Sequence, residues 1–185
     1  QVSFYEEMTN VPFIIAGPGI HPRQKPVEDL LTQPTIDLLP TLCELAGIPV
    51  PSSKPGISLA PFLKGEKQKR QHPYAASEWH SEYEVTVSPG RMIRSPRYKY
   101  THYLEGNGEE LYDMLKDKGE RRNLAHDPKY SKILAEHRAL LDDYIRRTQD
   151  DYRSLKVEAD KRWRSHAPGY PNHEGPCARD IINRK

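Results

Sequence analysis

Arg91-Met92-Ile93-Arg94-Ser95-Pro96-Arg97-Tyr98-Lys99-Tyr100-Thr101-His102-Tyr103 is the stretch that decides the fold. Residues 91–94 and 98–103 are short β-type runs, the second rich in aromatic residues, and a Ser-Pro turn separates them. Such side chains suit a pleated surface, and Ser-Pro marks a reversal, so the pair reads as a hairpin. Outward from it, Tyr74-Ala75-Ala76-Ser77-Glu78 lies before and Glu110-Leu111-Tyr112-Asp113 lies beyond Gly106-Asn107-Gly108. The four runs predict a small antiparallel sheet. Ser88-Pro89-Gly90-Arg91 has the look of an active-site turn but lacks a Gly-x-Ser-x-Gly frame, and it reads as a hairpin turn.

Downstream, Asp127-Pro128 opens a helix, with Asp as cap and Pro in the first turn. Tyr130, Ile133, Leu134, His137, Leu140, Leu141, Tyr144 and Ile145 form its apolar stripe, which predicts a cover for one sheet face. Upstream, Val11–Ala16 followed by Gly17-Pro18-Gly19 reads as a buried strand of an α/β sheet. Ile36, Leu39, Leu42 or Cys43, and Ala46 recur at helical spacing, with Thr35 as cap and Gly47 just past the end. The fold class is α/β with an α+β C-terminal part: the end of an α/β sheet, then a small antiparallel sheet covered by one long helix. The expected divisions are 1–70 for the α/β end, 71–148 for the sheet and helix, and 149–185 for a loop-rich tail.

The 185 residues suit one domain rather than two. Only 36% are hydrophobic, 29% are charged, and there are 17 prolines. That balance points to a loop-rich chain or a piece resting on another domain. The lack of an initiator Met before the patterned Val2–Glu7 segment favours the piece. A net charge of +2 gives no reason to expect nucleic acid or an anionic membrane. No stretch reaches the ~18 apolar residues of a membrane span. Cys43 and Cys177 are too few for a disulfide scaffold.

A search for chemistry finds no nucleophile placed beside a base. His166, His173 and Glu174, or His80 with Glu78 or Glu82, lack the spacing of a zinc motif, and no Asp cluster suits a hard cation. Trp79-His80-Ser81-Glu82-Tyr83-Glu84, and the tail around Trp163, Arg164, His166, Tyr170 and His173, mix aromatic, imidazole and charged groups. Aromatic rings stack on sugar faces, and Arg and His pair with carboxylate or sulfate, which suits an anionic carbohydrate. A tail packing back on its own domain fits the same composition equally well.

The segments together resemble the C-terminal half of the sulfatase family, within the alkaline-phosphatase-like superfamily. The resemblance rests on Tyr5-Glu6-Glu7 with Val11-Pro12-Phe13-Ile14-Ile15 and Gly17-Pro18-Gly19, on Asp37-Leu38-Leu39-Pro40-Thr41-Leu42 with Ala46-Gly47-Ile48, and on Gly56-Ile57-Ser58-Leu59. It continues through Arg97-Tyr98-Lys99-Tyr100, Glu110-Leu111-Tyr112-Asp113, and Glu120 with Asn123-Leu124-Ala125. It implies hydrolysis of sulfate esters, with a sulfated carbohydrate as substrate and a periplasmic, secreted or lysosomal setting. It also implies that the catalytic formylglycine and the calcium ligands lie in an upstream part of the same protein, which is the expected partner. This segment alone is then expected to bind neither and to be inactive.

Gln1 stands where the family has a sulfate-contacting Lys and cannot supply its charge. Asn10 and Lys118 also depart from the family's Arg and Pro. In sulfatases the C-terminal subdomain lies beside the cleft, so the expected substrate contacts are His80 first, then Trp79, Glu82 and Arg91, with Arg164, His166 and His173 from the tail. The alternatives are a phosphodiesterase or phosphonate hydrolase of the same superfamily, or a non-catalytic carbohydrate- or partner-binding module.

Overall fold

Connections of ten, three and four residues join four strands of the central third of the chain into an antiparallel sheet in simple meander order. The computed structural model describes residues 4–22, 27, 30–53, 55–68, 72–79, 89–104 and 108–155. Strands β1 (Ala75–Trp79), β2 (Gly90–Arg94), β3 (Tyr98–Tyr103) and β4 (Gly108–Asp113) pair in sequence order. The register sets Ile93 opposite Tyr100 and Tyr100 opposite Leu111, so these three share one face with Ala76. A slip by one residue would move the whole set to the other face, which is why the apolar pattern fixes the pairing.

Helix α4 (Ser131–Thr148) covers that face, with Leu134 and Leu141 packed among Tyr74, Ile93, Tyr100 and Leu111. A 3-10 turn (Pro128–Tyr130) leads into it, and Asp127 accepts from the Lys129 N–H, as the sequence leads one to expect. His137 locks the helix to the β2–β3 turn: Nδ1 lies 2.8 Å from the Ile133 carbonyl and Nε2 2.9 Å from Ser95 Oγ. Burial holds its pKa below the usual imidazole value. Gln149 ends the helix in a left-handed conformation, φ 55°.

The opposite face is covered by the N-terminal segment. Phe4 is buried against Gly90 and Tyr103, and the short helix α1 (Glu6–Thr9) follows it. A side chain at position 90 would bring a Cβ to 2.6 Å from the Phe4 ring, so glycine is what lets the segment lie flat on the sheet.

The upstream expectations need two corrections. Residues 11–16 form no strand, and Ile14 is 85% exposed. A strand forms only against a partner strand, and none is present beside this segment among the described residues, so its backbone groups are left to solvent. Helix α2 spans Pro34–Leu45, so its cap position is Gln33, two residues before the expected Thr35, and Asp37 accepts the Gln33 N–H. Its buried side is the polar one: Asp37, Pro40 and Thr41 are buried, while Leu38, Leu39 and Leu42 are exposed. The Asp37 carboxylate also accepts from Ile57 N at 2.8 Å and lies 2.7 Å from His72 Nε2, so satisfied hydrogen bonds orient the helix. The loop between α2 and α3 (Ala60–Leu63) presses so closely that a Cβ at Gly56, φ 116°, would sit 2.1 Å from the Ile36 carbonyl oxygen. No helix among the described residues is long and apolar enough to cross a membrane.

Candidate substrate-facing site

The β1–β2 end of the sheet is where the sequence concentrates its recognition candidates, and the structure builds it around Arg91. That side chain is fully buried on the α4 face. Its guanidinium forks onto Asp150, Nε to Oδ2 at 2.6 Å and Nη2 to Oδ1 at 2.9 Å. Nη1 donates to the carbonyls of Trp79 at 3.0 Å and Gly90 at 2.8 Å. Burial by itself would lower the Arg91 pKa; the Asp150 hydrogen bonds and charge outweigh it and raise it.

The guanidinium also stacks over the Tyr152 ring, 4.4 Å from its centroid. Tyr152 is itself fully buried, within the stretch read from sequence as tail. Its hydroxyl lies 2.9 Å from the His102 carbonyl, 3.4 Å from the Pro89 carbonyl and 2.8 Å from His102 Nδ1.

A second polar cluster lies on the other face. Lys99, 1% exposed, reaches through the sheet surface to Glu6 Oε2 at 2.7 Å, Glu120 Oε1 at 3.0 Å and the Phe4 carbonyl at 2.9 Å. Glu120 accepts from the Glu6 N–H at 2.6 Å and sits in a left-handed conformation, φ 50°, that costs an ordinary residue about 1 kcal/mol and persists because its partners fix it. Glu110 lies in the same layer. Burial first, then the Glu120 charge, push its carboxyl up to about 7, with Lys99 opposing.

Of the residues expected to touch substrate, Trp79 and Arg91 fall among the described ones. Gln1, His80, Glu82, Arg164, His166 and His173 lie outside them. Trp79 pairs with Gly90 at the end of β1, and its buried indole N–H has no acceptor among the described residues. The register puts the Trp79 side chain on the face opposite Arg91, so the two are not brought together. The Arg91 guanidinium is enclosed by Asp150, Tyr152 and two carbonyls, so it is not open to a ligand in this arrangement.

Sequence reasoning missed Lys99, Glu110 and Glu120. The available signal was a Lys between two aromatic residues, in Tyr98-Lys99-Tyr100, and a Glu at a strand position, in Glu110-Leu111-Tyr112. Among the described residues no three His, Cys, Asp or Glu side chains converge as a metal site, so they do not fit a calcium ion. Cys43 is a free, half-buried thiol on α2.

Comparison with known proteins adds what geometry alone does not. The family model for the C-terminal part of N-sulphoglucosamine sulphohydrolase matches residues 2–147. The chain belongs to this sulfatase C-terminal family. A Delta 4,5-hexuronate-2-O-sulfatase of Bacteroides thetaiotaomicron is 76% identical over 184 residues, which cover all of this chain and 38% of that protein. The structure of a 2-O GAG sulfatase superposes with a TM-score of 0.84 at 76% identity, over 98% of this chain and 39% of that one. The phosphonate monoester hydrolase of Agrobacterium radiobacter superposes with a TM-score of 0.52 at 26% identity, over 68% of this chain and 27% of that one. The sulfatase C-terminal segment described here thus spans 38% of the length of the hexuronate sulfatase it matches.

Proposed function

We propose that the complete protein is a sulfatase that hydrolyses a 2-O-sulfate ester on an unsaturated hexuronate from a sulfated glycosaminoglycan. Water cleaves the ester, leaving the sugar hydroxyl and inorganic sulfate. One observation carries the reading. The 76% identity to the hexuronate-2-O-sulfatase runs over the whole chain, including residues beyond 147 that the family model does not reach. In this proposal the formylglycine and calcium that perform the chemistry belong to the upstream part. Residues 1–70 complete its α/β layer, 71–148 form the subdomain beside the cleft, and 149–185 form the tail. The exposed Val11, Ile14, Leu39 and Leu42 support packing of the first division against that upstream part.

Recognition is assigned to the segment after β1, with His80 as first contact and Trp79 and Glu82 beside it. Arg164, His166 and His173 from the tail serve the anionic sugar. Arg91 serves indirectly, through the carbonyl of Trp79.

The test assays the complete protein on a 2-O-sulfated unsaturated disaccharide, an N-sulfated glucosamine and a phosphonate monoester. Sulfate release from the first alone supports the reading. Phosphonate turnover without sulfate release would favour the hydrolase alternative, which the similarity to the Agrobacterium radiobacter enzyme keeps in view. Binding of the disaccharide without turnover would favour a non-catalytic module. His80→Ala should lower catalytic efficiency on the disaccharide by tenfold or more, the loss of about one to two good polar contacts, and leave a small aryl sulfate nearly unaffected.

A further inference from the structure

The turn that follows β4 spends its acidic groups inward and leaves its cations outside. It runs Leu115-Lys116-Asp117-Lys118-Gly119-Glu120-Arg121-Arg122, and Lys116, Lys118, Arg121 and Arg122 are all exposed. Its root is firmly held. Asp113, 3% exposed, accepts from the Arg97 guanidinium and from the Leu115 N–H at 3.2 Å. The Asp113 carbonyl accepts the N–H groups of Lys116 at 3.0 Å and Asp117 at 2.7 Å. Asp117 Oδ2 in turn accepts the N–H groups of Arg121 and Arg122, each at 2.9 Å. Glu120 is buried and meets Lys99 and the Glu6 N–H. Asp127 takes the Arg122 guanidinium and the Lys129 N–H, both at 3.1 Å.

What remains on the outside is positive. Among the described residues no carboxylate pairs with Lys116 or Arg121, and the Arg122 side chain stays 73% exposed beside Asp127. Arg97 stands at the foot of the same turn, where its carbonyl accepts the Met114 N–H and its guanidinium lies 5.1 Å from the centroid of the Tyr98 ring. The net charge of +2 conceals this local excess, because it averages the turn with acidic residues elsewhere. A slack loop of the same composition would offer the same charges at no fixed spacing. Here hydrogen bonds to Asp113 and Asp117 set the backbone that carries them, so a ligand spanning several of them has less ordering to impose.

We propose that this turn, through Lys116, Lys118, Arg121 and Arg122, is a docking surface for a sulfated glycan chain several sugars long. The proposal rests on the function proposed above, which supplies the anionic polymer, and adds a surface that holds the chain rather than a single sugar. One exposed cation contributes little by itself. A chain with a sulfate on successive sugars meets several cations at once and releases its condensed counterions as it does so. A disaccharide is too short to gain from this.

The experiment compares the complete protein with a Lys116→Ser/Lys118→Ser/Arg121→Ser variant. A Lys64→Ser/Lys67→Ser/Arg146→Ser control removes as many exposed cations from the stretch after α3 and from the last turn of α4. Binding of a heparin dodecasaccharide, of a 2-O-sulfated unsaturated disaccharide and of single-stranded DNA of matching charge is read by calorimetry over a range of salt. The turn variant should bind the dodecasaccharide about tenfold or more weakly at low salt, with the slope of log affinity against log salt reduced by about two to three. Its melting temperature and its disaccharide binding should stay those of wild type, and the control should bind the dodecasaccharide within about twofold of wild type. No loss in the turn variant, or an equal loss in the control, would overturn the proposal and leave a solvated charged turn. An equal loss toward DNA would overturn the glycan and leave a general polyanion surface. Sulfate release from the disaccharide by the wild-type protein is read separately. Its absence, with turn-dependent dodecasaccharide binding intact, upholds the surface and removes the enzymatic reading; its presence, with binding indifferent to the turn, does the reverse.

Discussion

Glu110 should make the protein's stability fall as pH rises from acid to neutral. Its carboxyl lies on β4 in the layer between the sheet and the N-terminal segment and is 8% exposed. The groups around it are Glu120 and Lys99, with Tyr5, Tyr103 and Tyr112 also within electrostatic reach. Arg94 and Glu6 complete the charged layer, since Arg94 interacts with both Glu6 and Glu120.

Burial, then repulsion from Glu120, raise the Glu110 pKa from 4.5 to about 7. The folded form therefore holds a proton that the unfolded form has already lost between those values. The stabilisation is complete below pH ~4.5 and disappears as pH rises through ~7, the reverse of an ordinary paired carboxylate. A shift of this size corresponds to about 3 kcal/mol. His137 acts with the opposite sign: burial depresses its pKa, so its contribution is lost as pH falls.

The difference between wild type and Glu110→Gln isolates the carboxyl. Urea denaturation of the complete protein, followed by exchange protection of Glu6–Thr9, should show the Gln variant gaining on wild type by about 2–3 kcal/mol between pH 4.5 and 8. Parallel pH profiles for the two proteins would refute the reasoning, because they would mean that Glu110 ionises normally in the folded state.

Lys99→Met removes the cation that pairs with Glu6 and Glu120 and leaves the buried Glu120 carboxylate without that partner; it should cost about 3–5 kcal/mol in the same denaturation assay and release exchange protection at Glu6–Thr9 first. Replacing Leu39 and Leu42 by Gln should cost the isolated segment little, since both are exposed in it, and should make it less prone to self-association by light scattering. In the complete protein the same pair should be destabilising by about 2 kcal/mol or more if the upstream part covers that face, and an unchanged denaturation midpoint would show that it does not.

The sequence by itself determined the elements whose signal is local. The β-type runs at 91–94 and 98–103 with their Ser-Pro turn, the Asp127-Pro128 start and the stripe from Tyr130 to Ile145 each depend on residues a few positions apart, and each became the sheet or helix it implied. The motifs in their order also pointed to the sulfatase family before any coordinates.

Tertiary structure decided what depends on pairing at a distance. Val11–Ala16 has strand composition, but among the described residues no strand pairs with it, so it lies outside the sheet. Helix α2 has an apolar stripe, yet the hydrogen bonds of Asp37 and Thr41 with a loop 18 to 20 residues away turn its polar side inward. Arg91 looked like a ligand-binding cation because its buried partner, Asp150, lies 59 residues further on. The charge of Lys99 is met by a segment more than 90 residues away in sequence, through Glu6 and the Phe4 carbonyl. Charge and apolarity in a sequence say what a side chain needs; which distant group supplies it is settled only when the chain is folded.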